Sequence, residues 1–181
     1  RRKTKKNLMR KRSILIAGGT GFIGYHLTKK ALKKKYLVTV ISTKKPAKHR
    51  KLNRVKYILC DISKKNQLQK KIKSNYDFVV NLAGHVNHQE KVKTYTSHFK
   101  GSKNLADFFL NKNINSFLQI GSSSEYGQSK APHTELTRCD IKSNYAKAKF
   151  DAQKYLKNLN KKNNFKYNII RFYQVYGPNQ D

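Results

Sequence analysis

The sequence is poor in acidic residues, in cysteine and in long apolar runs. Its 181 residues include 9 Asp and Glu against 41 Lys and Arg, which gives a net charge of +32. The two cysteines, Cys60 and Cys139, are far apart and lack the spacing of metal ligands, so we predict no metal site and a reducing, cytoplasmic setting. No apolar run reaches the length of a membrane span, and no signal-peptide core precedes the first predicted strand.

The excess of lysine allows two interpretations. A polyanionic partner, such as nucleic acid or an anionic membrane surface, would be matched by a localised basic patch, whereas compositional drift would spread lysine over all solvated faces. The lysines of this chain are scattered over every predicted helix and loop, and no nucleic-acid-binding motif accompanies them. This distribution favours drift, and we expect no specific nucleic-acid or membrane partner.

Strand-like apolar segments alternate with amphipathic helical segments along the chain. The predicted strands cover residues 14–17, 37–41, 55–60, 76–84, 116–120 and 167–172, and the predicted helices cover residues 22–35, 63–75, 95–111 and 143–159. The alternation predicts an α/β fold, a Rossmann-type doubly wound parallel sheet with helices on both faces. We expect residues 13–181 to form one domain of this kind and residues 1–12 to form a basic arm without fixed structure.

A glycine-rich turn joins the first predicted strand to the first predicted helix. Glycine has no Cβ to block a ligand, and the start of a helix offers free N–H groups and a positive dipole end to a pyrophosphate. The glycines fit two dinucleotide-binding spacings, Gly19-x-Gly21-x-x-Gly24 and the wider Gly18-x-x-Gly21-x-x-Gly24. The alternative is a turn that only packs the helix against the strand.

The second predicted strand ends without an acidic residue, in Ser42-Thr43-Lys44-Lys45. In dinucleotide-binding folds an acid at this point binds the adenosine ribose of NAD, whereas small or basic residues suit the additional phosphate of NADP. The cofactor expected is NAD or NADP, and Ser42 and Lys44 favour NADP.

A tyrosine and a lysine are placed for acid–base chemistry. Tyr145 and Lys149 are four residues apart in a predicted helix and therefore share one face. A nearby cation lowers the pKa of a phenol, so such a tyrosine can act as general acid or base. Ser122, at the end of the fifth predicted strand, could hydrogen-bond the same substrate oxygen. The alternative for this serine run is a polar loop that caps the strand.

Six motifs follow one another along the chain. They are Gly18-x-x-Gly21-x-x-Gly24, Asp61-Ile62, Asn81-Leu82-Ala83-Gly84, Ser122-Ser123-Ser124-Glu125-Tyr126-Gly127, Tyr145-x-x-x-Lys149 and Arg171-Phe172-Tyr173-Gln174-Val175-Tyr176-Gly177-Pro178. In this order, and from about residue 13 to the end, the chain resembles an extended short-chain dehydrogenase/reductase of the nucleotide-sugar epimerase/dehydratase family. The resemblance selects the wider glycine spacing.

The resemblance implies roles for these residues. Tyr145 would be the catalytic acid/base, Lys149 would bind the nicotinamide ribose and lower the pKa of the tyrosine, and Ser122 would be the catalytic serine. Ser123 and Ser124 are predicted to bind substrate. The predicted cofactor-binding residues are Gly18, Thr20, Gly21, Phe22, Ile23, Gly24, Ser42, Lys44, Asp61, Ile62, Leu82, Ala83, Gly84, Tyr145, Lys149, Tyr173 and Val175.

The chain also departs from the family pattern. Gln174 and His98 stand where the family usually has Asn, and His98 is interpreted as a hydrogen-bonding substitute. The 4,6-dehydratases of the family place Asp-Glu directly after their Thr, whereas Glu125 here comes one place too late, which disfavours dehydration. Family members continue into a smaller carboxyl-terminal substrate region, which we expect to be missing from this chain.

The resemblance therefore implies an NAD(P)-dependent nucleotide-sugar epimerase or 4-ketoreductase, with a nucleotide sugar as substrate and a homodimer as one compatible assembly. The rival interpretation is a non-catalytic Rossmann binding protein, either a cofactor sensor or a polyanion binder. A pure binder has no need of Tyr145, Lys149 and Ser122, so their presence disfavours it.

Overall fold

The computed structural model describes residues 10–178 and residue 180, and its centre is a six-stranded parallel sheet. The strands are β1 (Ser13–Ala17), β2 (Leu37–Ser42), β3 (Val55–Leu59), β4 (Phe78–Asn81), β5 (Ser116–Ser122) and β6 (Tyr167–Phe172). Their order in the sheet is β3-β2-β1-β4-β5-β6. Because the order reverses between β1 and β4, a crevice opens at the carboxyl ends of these strands, where doubly wound sheets bind their ligands. The predicted fold class is confirmed.

Helices cover both faces of this sheet. They are α1 (Phe22–Lys33), α2 (Lys65–Lys71), α3 (Lys91–Tyr95), α4 (Gly101–Phe109) and α5 (Asn144–Asn163). Successive residues of a strand point to opposite faces, so β1 contributes to two cores. Ile16 packs with the α1 face, while Leu15 packs on the opposite face with residues of α2, α4 and α5, among them Phe109 and Leu156. No helix in the described part of the chain is both long enough and apolar enough to cross a bilayer.

Helix boundaries differ from the sequence prediction where local signals are weak. The helix predicted at 63–75 is only Lys65–Lys71, although Leu68 and Ile72 are buried as expected. Helix α5 begins after Ser143, whose side chain accepts a hydrogen bond from the Ala146 N–H at 3.1 Å, and it continues to Asn163, past the predicted end at 159. Serine in this position satisfies an N–H group that a helix start leaves free.

The helix predicted at 95–111 starts earlier and is not uniform. A π-helical turn, Thr96–Lys100, joins α3 to α4. Such a turn inserts a residue into the helical repeat and is often found at functional sites. Here it contains the buried side chain of His98.

Most of the predicted amino-terminal arm, residues 1–9, lies outside the described residues. Two of its last three residues contact the sheet region. The Arg10 guanidinium pairs with the Asp77 carboxylate at 3.2 Å, and the Arg12 carbonyl accepts a hydrogen bond from the Leu37 N–H at 2.9 Å.

Candidate active site

The carboxyl ends of the strands border a cleft with two adjoining halves of about 480 and 550 Å³. The first half is lined by Asp61 and Ile62, at the end of β3. The second is lined by the glycine turn and by residues of β5 and α5. The residues common to both are Gly18, Ser42, Ala83, Gly84 and His85. The cleft therefore has the elongated, two-part form that a dinucleotide requires.

At two positions of the turn, the surrounding backbone lies so close that only glycine fits. Gly18 has φ +78°, and a Cβ there would lie 2.8 Å from the Ala83 nitrogen. A Cβ on Gly24 would lie 2.3 Å from the Gly18 carbonyl oxygen. At Gly21, by contrast, an added Cβ would meet only that oxygen, at 3.5 Å. The turn is thus closely packed at Gly18 and Gly24, and it is open at Gly21, where α1 begins.

The residues predicted to select the cofactor lie in two places. The Ser42 hydroxyl lines the cleft and hydrogen-bonds the Thr20 hydroxyl at 2.8 Å. Lys44 instead lines a side cavity of about 340 Å³, which Thr20 and Ser42 also border, together with Lys51. Lys44 therefore lies next to the cleft and does not line either of its halves.

The three residues predicted to be catalytic come together in the second half of the cleft. Tyr145 and Lys149 project from α5, and the Lys149 ammonium nitrogen is 5.7 Å from the centre of the Tyr145 ring. Lys149 is buried and donates a hydrogen bond to the Ile120 carbonyl at 2.9 Å. Ser122, at the end of β5, lines the same half of the cleft and affects the pKa of Tyr145, while its hydroxyl donates a hydrogen bond to the Ser124 Oγ at 3.1 Å. The sheet thus brings together groups that are 27 residues apart in sequence.

The pKa values of this pair differ from the sequence prediction. Burial raises the pKa of Tyr145 above its ordinary value; the neighbouring Ser122 hydroxyl opposes this shift and the Glu125 charge adds to it. Burial also lowers the pKa of Lys149 to about 8, against the effect of Glu125. The net shift of the Tyr145 pKa is thus upward, whereas the sequence predicted that Lys149 would lower it; burial is the largest cause.

Three histidines that sequence reasoning gave no catalytic or binding role line the cleft. They are His85, His88 and His98. His98 is buried, and burial together with the Lys149 charge lowers its pKa to about 3, so the ring is neutral at physiological pH. Its Nε2 donates to the His85 carbonyl at 3.2 Å, while its Nδ1 finds no hydrogen-bond partner among the described residues. The pair His85-x-x-His88 after the fourth strand was the available sequence signal.

The prediction that Ser123 and Ser124 bind substrate is not supported by their position. Neither side chain lines the two halves of the cleft. Both belong to a short turn that follows β5, in which the Ser124 N–H donates to the Ser122 hydroxyl oxygen at 3.2 Å. Ser122 is therefore the residue whose side chain caps this turn, and Ser124 supplies the N–H group that is capped. A capping role for the serine run was the alternative interpretation.

The segment after β6 reaches the same half of the cleft. Tyr173 and Val175 line it as predicted, and Phe172, which was not predicted, lies beside them. The Tyr173 hydroxyl hydrogen-bonds the His133 Nδ1 at 2.9 Å.

The sequence from residue 14 to residue 181 matches the NAD dependent epimerase/dehydratase family. The chain belongs to this family. A curated relative, the ADP-L-glycero-D-manno-heptose-6-epimerase of Brachyspira hyodysenteriae, is 26% identical over 187 aligned positions, which cover 93% of this chain.

Solved structures of the family have the same fold. The UDP-glucose 4-epimerase of Thermotoga maritima, determined with UDP-glucose, superposes with a TM-score of 0.84 at 23% identity. The UDP-glucuronic acid 4-epimerase of Bacillus cereus, determined with UDP-glucuronic acid and NAD, superposes with a TM-score of 0.80 at 25% identity. Each alignment covers 93% of this chain and 58% of the other. The chain likewise spans 56–57% of the length of the curated relatives it matches.

Proposed function

We propose that this chain is the cofactor-binding and catalytic part of an NAD(P)-dependent nucleotide-sugar epimerase or 4-ketoreductase. The observation that carries the proposal is the meeting of Tyr145, Lys149 and Ser122 in the same cleft as the glycine turn. Residues 13–181 would form one functional unit, and the sugar would be held mainly by residues outside this chain.

The cleft fits a dinucleotide on two observations. Gly18 and Gly24 let the turn pack closely on the backbone after β4 and on itself, while Gly21, which lines the cleft, carries no side chain that would block a ligand at the start of α1. His98 lines the same half of the cleft, and the Nδ1 of its ring is buried without a hydrogen-bond partner among the described residues. When bound, NAD(P) accepts or returns a hydride at a sugar carbon, which we take to be C4.

The chain's own residues would move the proton. The Tyr145 phenol, protonated at neutral pH because burial raises its pKa, donates a proton to the oxygen of a keto sugar, or its phenolate removes one from a sugar hydroxyl. Ser122 hydrogen-bonds that same oxygen and orients it. The Lys149 ammonium, fixed by the Ile120 carbonyl, binds a ribose hydroxyl and places positive charge near the phenolate.

We propose NAD or NADP as the cofactor. NADP is favoured by Ser42 and by the side cavity that contains Lys44 and Lys51. The solved relatives give that preference no support, since the Bacillus cereus epimerase was determined with NAD.

The proposed substrate class is a nucleoside-diphosphate sugar. The names of the compared enzymes share this class but differ in nucleotide, in sugar and in the epimerised carbon. The net charge of +32 would attract such an anionic substrate toward the cleft. A homodimer and a cytoplasmic setting stay predictions from the sequence.

Replacing Tyr145 by Phe tests the proposal. In the full-length protein that contains this chain, we expect kcat for the interconversion of UDP-sugars to fall by a factor of roughly 10²–10⁴, because the proton donor is lost. Cofactor affinity, measured by NADH fluorescence, should change less than about threefold, since the phenol supplies little of the binding energy. Equal losses of activity and binding would overturn the role of Tyr145.

The rival interpretation gives a different result. A non-catalytic protein would convert no nucleotide sugar even with the cofactor bound. A polyanion binder would in addition be retained on nucleic acid in a strongly salt-dependent way, without a change in nicotinamide fluorescence.

A further inference from the structure

A buried carboxylate links the catalytic serine to the edge strand of the sheet. Glu125 is fully buried, and its Oε1 accepts a hydrogen bond from the Ser122 N–H at 2.8 Å. Its other oxygen, Oε2, accepts from the Arg171 Nε at 3.2 Å. One side chain therefore joins the end of β5, where Ser122 lies, to β6, where Arg171 lies.

Arg171 extends this link to the catalytic helix. Its Nη2 donates to the Gln153 side-chain oxygen at 2.6 Å, and its Nη1 donates to the Tyr126 hydroxyl at 3.0 Å. Gln153 is on α5, one helical turn beyond Lys149. A continuous series of hydrogen bonds thus runs from Ser122 through two charged side chains to the helix that presents Tyr145 and Lys149.

The surrounding backbone makes room for this carboxylate. A Cβ on Gly121 would lie 2.7 Å from Glu125 Oε1 and 3.0 Å from Arg171 Cγ. The carboxylate therefore occupies the space that a side chain at Gly121 would fill.

We infer that Glu125 and Arg171 are positioning residues, which hold Ser122 and α5 in the relative placement that brings Ser122 and Tyr145 together in the cleft. This inference rests on the function proposed above and deepens it. From the sequence, Glu125 is interpreted only as a glutamate one place too late for the dehydratase acid. Its positioning role is inferred from its contacts in the structure. The pair does not contact the reacting atoms and acts through Ser122 and the helix.

The charge of Glu125 also acts on the catalytic groups. It raises the pKa of Tyr145 and opposes the burial that lowers the pKa of Lys149. Removing the charge should therefore shift the titration of both groups to lower pH. The titratable and charged groups that interact with Glu125 are Arg171 from β6, Tyr145 and Lys149 from α5, and Cys139 from the loop before α5.

The test replaces Glu125 by Gln in the full-length protein. The amide oxygen can still accept from the Ser122 N–H, but Arg171 loses its carboxylate partner. We expect kcat to fall by roughly tenfold to a hundredfold with little change in KM, because the defect is one of orientation. We also expect both limbs of the pH profile of kcat to move to lower pH. Glu135→Gln makes the same chemical change at an exposed glutamate and should leave kcat and its pH profile unchanged.

A double variant separates positioning from stability. Breaking a buried ion pair destabilises a protein, whereas replacing both partners by neutral residues is much better tolerated. Glu125→Gln with Arg171→Met should therefore regain melting temperature relative to the more damaged single variant, while kcat and the pH profile stay altered. Recovery of kcat together with the melting temperature would overturn the inference, because the pair would then be merely structural.

A spectroscopic readout keeps this inference separate from the proposed function. NMR of ring-labelled tyrosine, assigned with the Tyr145→Phe variant, gives the pKa of Tyr145 without turnover. A lower Tyr145 pKa in Glu125→Gln supports an electrostatic link between Glu125 and Tyr145, even if the protein converts no UDP-sugar. Failure to convert a UDP-sugar would overturn only the proposed function. An unchanged Tyr145 pKa would overturn the link whatever the activity.

Discussion

The imidazole ring of His88 lies flat on the phenol ring of Tyr145, with ring centres 3.9 Å apart and planes inclined by 14°. The ring of His98 meets the same phenol edge-on at 5.0 Å. The phenol is thus enclosed by two histidines, which add to the burial that raises its pKa.

Removing the stacked ring should make Tyr145 more acidic. In His88→Ala water reaches the face of the phenol, so we expect its pKa to fall toward the ordinary value of about 10. His88→Phe keeps the cover and is the matched control, with a Tyr145 pKa close to that of the parent protein. The NMR titration of labelled tyrosine measures both. A His88→Ala variant whose Tyr145 titrates as in the parent would show that the stacked ring has no part in the shift.

An acid at the end of β2 should change cofactor choice. Ser42→Asp places a carboxylate where it can accept a hydrogen bond from a ribose hydroxyl and repel a phosphate. We expect the ratio of the NAD and NADP dissociation constants to move toward NAD by about tenfold or more, which is about 1.4 kcal/mol. Fluorescence titration with NADH and NADPH measures the ratio.

The companion variant is Lys44→Ala, which should weaken NADPH binding while leaving NADH binding nearly unchanged. If Ser42→Asp weakens both cofactors equally, Ser42 does not face the adenosine ribose.

Two glycines of the turn should respond differently to a single methyl group. Gly24→Ala forces a Cβ to within 2.3 Å of the Gly18 carbonyl oxygen, so we expect the free energy of unfolding to fall by about 1–3 kcal/mol. Gly21→Ala meets the same oxygen at 3.5 Å, an ordinary contact, and should cost less than about 1 kcal/mol. Urea unfolding without cofactor distinguishes the two. Equal losses would contradict the packing described for the turn.

His98 should make the protein acid-sensitive. Its pKa is lowered to about 3, so the folded state resists protonation that the unfolded state accepts near pH 6.5. The contribution of the neutral ring is fully present above about pH 6.5, and it is lost as the pH falls toward 3 by about 1.4 kcal/mol per pH unit.

The difference in unfolding free energy between the parent protein and His98→Asn isolates this effect, because an amide does not titrate and the other groups cancel. Urea unfolding at pH 4, 5, 6 and 7 should show that the stability of the parent protein relative to His98→Asn decreases as the pH falls. A difference that is independent of pH would mean that His98 is already protonated, or is accessible to protons, in the folded protein.

Much of the fold was predictable because its determinants are local. The strand predicted at 167–172 agrees with β6 (Tyr167–Phe172), since an apolar run between polar loops leaves few alternatives. Several residues of the cleft could be predicted because their motifs are also local in sequence. These motifs are the glycine spacing, the Tyr145–Lys149 interval and the serine run. The π-helical turn at Thr96–Lys100 was not predictable, because an inserted residue leaves no mark on the apolar period.

The sequence by itself predicted the parallel sheet, the glycine turn between β1 and α1 and the three residues proposed to be catalytic, since these depend on residue type and spacing. Only the tertiary structure decided the environment of that trio. It placed His88 and His98 against Tyr145, put Ser124 in the turn that Ser122 caps, and paired the buried Glu125 with Arg171 between β5, β6 and α5. The physical reason is that burial and long-range pairing set the pKa of Tyr145 and the position of Ser122. Both arise between segments that meet only when the sheet is assembled.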